Sequence, residues 1–345
     1  LPLVALSTTR GGKAWPKLPM ALAVLLVAAQ TGYGALRLAT APQAAEGPTI
    51  RIMQPAINQR DKLAIGNELS VVETYLEVSA TAPGGEDGGL EGIDYLIWPE
   101  SAFPFLLTEQ PEVIAAIADL LPEGTTLVTG ALRTEPGAAG NPQGHVYNSI
   151  YVIDSNGEIL EAADKTHLVP FGEYLPFQNL LEAYGFEQLT RLKGGFEAGA
   201  QRTILLEDSG HPVLPLICYE IIFSGALRNG VSTDAPQPSW IVNLTNDAWF
   251  GRTPGPYQHF HQARLRGIEE GLAVVRVANT GISAVSDAYG NLLGILPLGA
   301  RGTTDAILPA VVTPTPFSRF GQRLLIGLLI TCVAIALIAR KRAAT

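Results

Sequence analysis

Apolar residues fall along the chain in two kinds of pattern. At the ends they form long uncharged runs, residues 18–36 and 324–339. Between these ends they form short runs: "TIRIMQ", "YLIWPES", "TLVTGALRT", "VYNSIYVID", "VLPLICYE", "SWIVNLTND", "AVVRVANTG" and "ISAVSD". Runs of this length, rich in Val, Ile and Tyr and bounded by turn residues, predict strands. Helical spacing predicts helices over 62–78, 112–121 and 257–271. Strands that alternate with helices argue for an α/β layered domain. "TAPGGEDGGLEG" and "TEPGAAGNPQGH" predict surface loops.

The terminal runs predict transmembrane helices. Residues 324–339 reach roughly 24 Å as a helix, a little short of a full span. Residues 317–322 extend that run while Arg319 and Arg323 snorkel. The run at 18–36 is weaker, since it contains Gln30, Thr31 and two glycines. The alternative for either run is a buried core helix. Arg10, Lys13 and Lys17 precede the first run, and Arg340, Lys341 and Arg342 follow the last. The positive-inside rule then puts both outer ends in the cytoplasm and residues ~45–315 across the membrane. The expected division is residues 1–45 as basic loop and first span, 46–316 as the main domain, and 317–345 as last span and basic tail. The chain begins at Leu1 rather than Met, and "LPLVALS" reads as the tail of an earlier span. A fragment of a longer protein is therefore expected.

Composition sharpens this. The 345 residues are 47% hydrophobic and 16% charged, which points to a membrane-attached protein. All 32 acidic residues lie between Glu46 and Asp305, where only 14 basic residues stand against them, a balance of −18. That interval has no basic patch of the kind nucleic-acid binding needs. Two cysteines 114 positions apart make no disulfide scaffold. Cys332 sits in an apolar run and reads as a filler, which leaves Cys218 alone.

Three segments place a charged or reactive residue where an apolar run ends. "YLIWPES" delivers Glu100, "ADKTHLVPFGEYLP" delivers Lys165 and Glu173, and "LPLICYE" delivers Cys218 and Glu220. At strand ends of an α/β sheet, such side chains converge on one pocket. A thiol attacks a carbonyl well only as thiolate. Glu100 in an apolar pocket suits a general base. Lys165 can lower the thiol's pKa and stabilise an oxyanion, with the Tyr219 N–H as a second donor. The bland alternatives are a structural Glu100–Lys165 ion pair, and a solvated or merely bracing Glu173 and Glu220. His259 and His261 are two apart, hence on different helix faces, which argues against a metal site. Arg264, Arg266 and Glu269 are expected to tie their helix to the domain, the alternative being that they bind a phosphate head group. Trp249 and Phe250, beside "GRTPGP", are either core or lipid-facing, and the mobile-looking loop favours lipid.

The segments "WPESAFPF", "KTHLVPFGEYLP", "ICYE", "NLTNDAWFG" and "QHFHQARLRGIEEGLAVVRVANTGISAVSDAYG" resemble the nitrilase superfamily, and within it the membrane-bound apolipoprotein N-acyltransferases. The resemblance covers Trp98 to Gly290. It implies an α-β-β-α sandwich flanked by transmembrane helices, in a multi-pass protein of the bacterial inner membrane whose main domain faces the periplasm. It implies a triad of Glu100 as base, Lys165 as electrostatic stabiliser and Cys218 as nucleophile. Glu173, Tyr219 and Glu220 match further residues of the pattern, with roles in orienting the lysine, the acyl ester and the acceptor amine. A phospholipid, expected to be phosphatidylethanolamine, would acylate Cys218. The diacylglyceryl cysteine of an apolipoprotein would take the chain on its N-terminal amine. No metal or organic cofactor is implied. One departure stands out: the loop "QPAINQRDKLA" lacks the tryptophan usual there, which bears on acyl-chain contacts rather than on the chemistry. The rivals are an amidase or nitrile hydrolase on the same scaffold, and a non-catalytic membrane scaffold.

Overall fold

The computed structural model describes residues 17–42, 47–62, 64, 66–85, 88–136, 144–185, 188, 195–206 and 209–344. Arg10, Lys13 and the segment "LPLVALS" lie outside these residues, as does most of the loop "TEPGAAGNPQGH" and part of "TAPGGEDGGLEG". The side chains of Lys17, Arg340, Lys341 and Arg342 are likewise not described.

The chain divides after residue 44 into two units. The first contributes the helix α1 (Lys17–Ala39). Its stretch Met20–Ala39 is long and apolar enough to cross a membrane, the one such helix among the described residues.

The second unit is built on two sheets. In the first, β1 (Thr49–Gln54) pairs in parallel with β2 (Tyr95–Ile97), and β2 in parallel with β3 (Thr126–Glu135). β4 (His145–Ile153) and β5 (Ile159–Asp164) extend it antiparallel. The second sheet runs parallel through β6 (Val213–Ile217), β7 (Trp240–Thr245) and β8 (Ala273–Ala278). It then turns antiparallel through β9 (Ser283–Ser286) and β10 (Leu292–Leu296). β11 (Gly302–Ile307) crosses back to pair with β1, so the orders are β11-β1-β2-β3-β4-β5 and β10-β9-β8-β7-β6.

The period of two along each strand separates two apolar layers. Ile50, Ile52, Ile97, Val128, Ile150 and Val152 face Val213, Ile217, Val242, Leu244, Val275 and Val277 between the sheets. The outer face of the first sheet (Met53, Leu96, Leu127) packs on α3 (Glu68–Ala80) and α4 (Pro111–Leu120) through Val71, Tyr75, Val78, Val113 and Ile117. The outer face of the second (Leu214, Leu216, Ile241, Val274) packs on α6 (Gly255–Glu270) through Ala263. Burial on both faces is why the central strands read as continuous apolar runs. The layers are α-β-β-α, as the resemblance implied.

Several elements depart from the sequence reading. The helix expected over 62–78 is two: α2 (Gln59–Lys62) and then α3, separated by Gly66 at φ +91°. Only glycine adopts that conformation without strain. β5, β10 and β11 were not anticipated; they are half-exposed, polar or Gly-containing strands outside the parallel centre. α5 (Gln178–Ala183) was not anticipated either. α4 begins with Pro111 in its first turn, where a missing N–H costs nothing. α6 stops at Gly271, whose φ of +73° lets its N–H close on the Gly267 carbonyl.

After β11 come α7 (Pro316–Phe320) and α8 (Arg323–Ala344). Thr315 Oγ1 donates to the Glu269 carbonyl, and Gln322 Nε2 donates to the Ser224 carbonyl at 3.3 Å. α8 thus leaves the domain beside the turn that follows β6. Its Leu325, Ile326, Leu329, Ile330 and Val333 are all exposed.

Candidate active site

Each parallel strand of both sheets ends on the same side, and the singled-out residues sit there or at the end of β5. Glu100 follows β2. It is 7% exposed and accepts a hydrogen bond from Asn148 Nδ2 at 2.8 Å, and the Asn246 backbone N–H lies close enough to favour its ionised form. Its turn is laid directly on β3: Ala102 N donates to the Gly130 carbonyl, and Gly130 N to the Pro99 carbonyl. A Cβ at Gly130 would stand 2.6 Å from both Glu100 Cα and Ser101 N. Gly130→Ala therefore has to push the Glu100 backbone away. We expect it to destabilise the domain by about 1–3 kcal/mol and to lower Cys218-dependent turnover by about 100-fold. Thermal unfolding beside a turnover assay checks this; unchanged turnover would mean that the position of Glu100 is not critical.

Lys165 follows β5 and is 1% exposed. Its N–H continues the β4 pairing at the Asn148 carbonyl, and its carbonyl accepts from Gly199 N. Nζ donates to Glu173 Oε1 at 2.7 Å, while Glu173 Oε2 accepts from Val169 N at 2.9 Å. The segment "HLVPFGEY" is a tight turn, with Phe171 at φ +62° and its N–H on the Tyr174 carbonyl, that holds Glu173 against the lysine. Among the described residues Lys165 therefore has Glu173 as its salt-bridge partner, and it is coupled through space to Glu100 and Cys218.

Cys218 follows β6, is partly accessible, and adopts φ +54°. A non-glycine residue there costs about 1–3 kcal/mol and persists only where its surroundings fix it. Here they do. The Cys218 carbonyl accepts from Asn243 Nδ2 at 3.1 Å and lies 3.2 Å from His259 Nε2. His259 Nδ1 is 3.0 Å from Asp247 Oδ1, and Arg276 reaches both Asp247 Oδ2 (2.7 Å) and Asn243 Oδ1 (2.5 Å). All four are buried. Burial alone would raise the Asp247 pKa, but Arg276 and His259 bring it down to about 2. Gly281 leaves this carboxylate its space: a Cβ there would meet Asp247 Oδ2 at 2.3 Å.

The electrostatics revise one expectation. Burial, and then the charge of Glu100, push the Cys218 thiol up to about 12, and Lys165 and the Thr245 hydroxyl only partly offset this. Lys165 thus favours the thiolate but does not produce one at rest. Burial likewise raises Glu100, with Lys165 opposing and Glu173 adding to the rise. Burial would lower Lys165, yet Cys218, Glu100 and Glu173 together raise it, so it stays an ammonium. A thiol at rest beside a carboxylate of raised proton affinity suits proton transfer concerted with attack.

Glu220, expected at the acceptor amine, is buried among hydrogen-bond donors. Its side chain is 1% exposed and its acceptor positions are occupied. Oε1 accepts from Arg202 Nη2 (2.8 Å), Thr166 N (3.0 Å), Thr166 Oγ1 (3.0 Å) and His167 N (2.9 Å); Oε2 accepts from Ile217 N (2.8 Å). It ties the loop after Lys165 to the strand before Cys218. Tyr219 is half-buried, its ring 4.8 Å from His259 and 5.7 Å from Phe250. The expected lipid-facing pair divides: Trp249 is 45% exposed, whereas Phe250 is half-buried and leans on Tyr219 and His259. Trp98 and Phe103 pack with Tyr75 under the helices. His259 is buried and His261 exposed, and no group of three metal-binding side chains occurs among the described residues. Arg264 donates to the Gly290 carbonyl, and Arg266 to the Ile222 carbonyl and Glu269, so both fasten α6.

Sequence reasoning missed Asn148, Asn243, Asp247 and Arg276, and weighed His259 only as a metal ligand. One signal was available: Arg276 is the only charge in the apolar strand "AVVRVA", and a buried charge demands a buried partner.

A thiol on a strained turn, faced by a buried carboxylate and ammonium at the strand ends of an α-β-β-α sandwich, defines the class: a nitrilase-type fold. The carbon-nitrogen hydrolase model matches residues 56–317, and the chain belongs to that family. Among curated relatives, it is 47% identical over 325 residues to an apolipoprotein N-acyltransferase of Bradyrhizobium diazoefficiens, covering 94% of this chain and 59% of that one. It is 48% identical over 290 residues to an apolipoprotein N-acyltransferase of Agrobacterium fabrum, covering 84% and 53%. The chain thus spans little more than half the length of these relatives. Among solved structures, the amidase from Nesterenkonia sp. superposes with a TM-score of 0.51 at 17% identity, over 77% of this chain and 92% of that one. A glutamate mutant of the Nesterenkonia sp. AN1 amidase, with the acetamide moiety of fluoroacetamide added covalently at its active-site cysteine, gives 0.52 at 17% identity, over 78% and 92%. At that identity they speak for the fold alone.

Proposed function

We propose that the chain is the catalytic part of an apolipoprotein N-acyltransferase, and that Glu100, Lys165 and Cys218 carry the reaction. The observation that carries this is Cys218, held on its strained turn and coupled to both Glu100 and Lys165. The names of the curated relatives supply the substrate classes. Glu100 takes the thiol proton as Sγ attacks the ester carbonyl of a phospholipid, taken here as phosphatidylethanolamine. The Lys165 ammonium and the Tyr219 N–H stabilise the tetrahedral oxyanion. Collapse leaves an acyl thioester on Cys218, and Glu100 returns its proton to the departing lysophospholipid alkoxide. The N-terminal amine of a diacylated apolipoprotein then attacks the thioester. Glu100 removes a proton from that nitrogen and passes it to the departing thiolate, which restores the free enzyme.

The apolar stretch Met20–Ala39 and the exposed leucines and isoleucines of α8 favour membrane attachment at both ends. With the basic flanks, they favour a multi-pass protein of the bacterial inner membrane, with the domain on the periplasmic side. Exposed Phe171, Phe177 and Tyr184 in the segment after Lys165, and Trp249 and Tyr257 after β7, favour an amphiphilic substrate.

The test is single-turnover decay of the thioester in full-length protein purified from membranes. Intact mass should show an acyl adduct, mapped to Cys218 and released by hydroxylamine. It should persist in buffer, discharge rapidly with a short diacylated peptide, and persist when the N-terminal amine of that peptide is acetylated. Equal decay in all three would make water the acceptor and the chain a hydrolase.

A further inference from the structure

We infer that Lys62 is a positioning residue for the general base: its buried ammonium grips the carbonyl of Ser101, fixing the turn that presents Glu100 to Cys218 and favouring the ionised form of that carboxylate. The inference rests on the reading of Glu100 as the base that serves Cys218.

Lys62 is the last residue of α2 and is 3% exposed. Its Nζ donates to the Ser101 carbonyl, a neutral acceptor rather than a carboxylate. Ser101 is the neighbour of Glu100 and adopts φ +46°, so the turn is strained and must be held from outside. β3 holds it on one side through Gly130, and Lys62 holds it on the other.

α2 itself is anchored to the second sheet. Asn246 Nδ2 donates to Gln59 Oε1 at 2.7 Å. Ala56 N donates to the Asn279 carbonyl at 2.9 Å, and Asn279 exchanges hydrogen bonds with both the N–H and the carbonyl of Ile57. The Asn246 backbone also favours the ionised form of Glu100. The segment 56–62 therefore links the Glu100 turn of one sheet to the end of β7 in the other.

Burying an ammonium against a neutral acceptor is costly. Burial pushes Lys62 down to about 8, and the charge of Glu100 pulls the other way. At neutral pH the ammonium still dominates. Native Lys62 holds fewer protons than the unfolded chain between about 8 and the ordinary 10.5, so its burial works against stability below that window. A residue that costs stability where a neutral side chain would fit marks a functional demand. The charges that act on Glu100 are Lys165, the larger cation, then Glu173, with Asn148 and the Asn246 backbone as hydrogen-bond donors. Cys218 completes the set, and Asp247 acts on Cys218.

The test is alkylation of Cys218 by iodoacetamide against pH in the full-length protein, followed by mass of the Cys218 peptide. It needs no acyl donor, so it stands apart from thioester formation. The lower limb of the profile belongs to the coupled Glu100–Cys218 pair. Lys62→Met should move that limb upward by roughly half a pH unit, less than the 1–3 units of a direct ion pair. Lys62→Arg should leave it near the wild-type position, and Lys62→Met should melt no lower than wild type. Glu100→Gln should abolish the limb. A limb that persists in Glu100→Gln removes the base assignment and the Lys62 inference with it. A limb lost in Glu100→Gln but unmoved in Lys62→Met overturns the inference alone. An equal shift in Lys62→Arg, or a Lys62→Met protein that melts lower or does not fold, also overturns it, because the lysine is then a structural tie.

Discussion

In the proposed reaction, Cys218→Ala, Glu100→Gln and Lys165→Ala should each reduce acyl transfer by roughly 10⁴-fold or more, and any two together should cost little beyond one. This is the expected result for three groups that act as a unit, and the geometry gives its reason. Cys218 is a thiol at rest, so without the Glu100 carboxylate it has no local acceptor for its proton. Without Lys165, the oxyanion loses its ammonium and Glu173 loses its cation, although Glu173 keeps Val169 N. Cys218→Ser should be nearly as poor, since a hydroxyl ionises far less readily than a thiol. Transfer of a labelled acyl chain to a diacylated peptide, with far-UV CD to confirm folding, measures this. Near-normal transfer by Lys165→Ala would remove the role given to it.

The largest effect on stability is expected from Arg202→Met. Arg202 is 6% exposed and supplies the charge that Glu220 needs. Its removal leaves a buried carboxylate without its ion-pair partner, a loss of about 3–5 kcal/mol, or about 10 °C in Tm for a domain of this size. The pH dependence identifies the cause. Burial alone would raise Glu220, but Arg202 and the donors around it hold the carboxyl below its ordinary 4.5. Its contribution is therefore present above pH 4.5 and is lost as pH falls through the depressed value. Wild type and variant should differ most at neutral pH and converge on acidification. A gap independent of pH would mean that packing, not charge, was lost. Since Glu220 joins Thr166 and His167 to Ile217, the variant should also loosen the segments carrying Lys165 and Cys218, and turnover should fall with stability.

The parts of this site that were legible in the sequence share one property. Glu100, Lys165 and Cys218 each interrupt an apolar run just where a strand ends, and strands buried on both faces are the easiest to recognise. Residues that act only through tertiary pairing were hidden. Asn243, Asp247, His259 and Arg276 lie on β7, the turn after it, α6 and β8; nothing local brings them together. Glu220 misled through adjacency. It stands two residues from Cys218, but the tight turn over Cys218–Ile222 carries its carboxylate back to Ile217 N. The helix over 62–78 was overextended because apolar periodicity outweighed Gly66, although Gly66-Asn67 is itself a turn signal. That error concealed Lys62 as the end of a separate element. The antiparallel outer strands β5, β10 and β11 carry too little apolar patterning to stand out.

The raised proton affinity of Cys218 has a consequence for survival as well as for rate. Peroxide and disulfides react with thiolates, and their selectivity follows thiolate content. Burial and the Glu100 charge both disfavour the Cys218 thiolate at rest. The burial that would make Cys218 depend on Glu100 therefore also works against sulfenic acid and mixed-disulfide formation at rest.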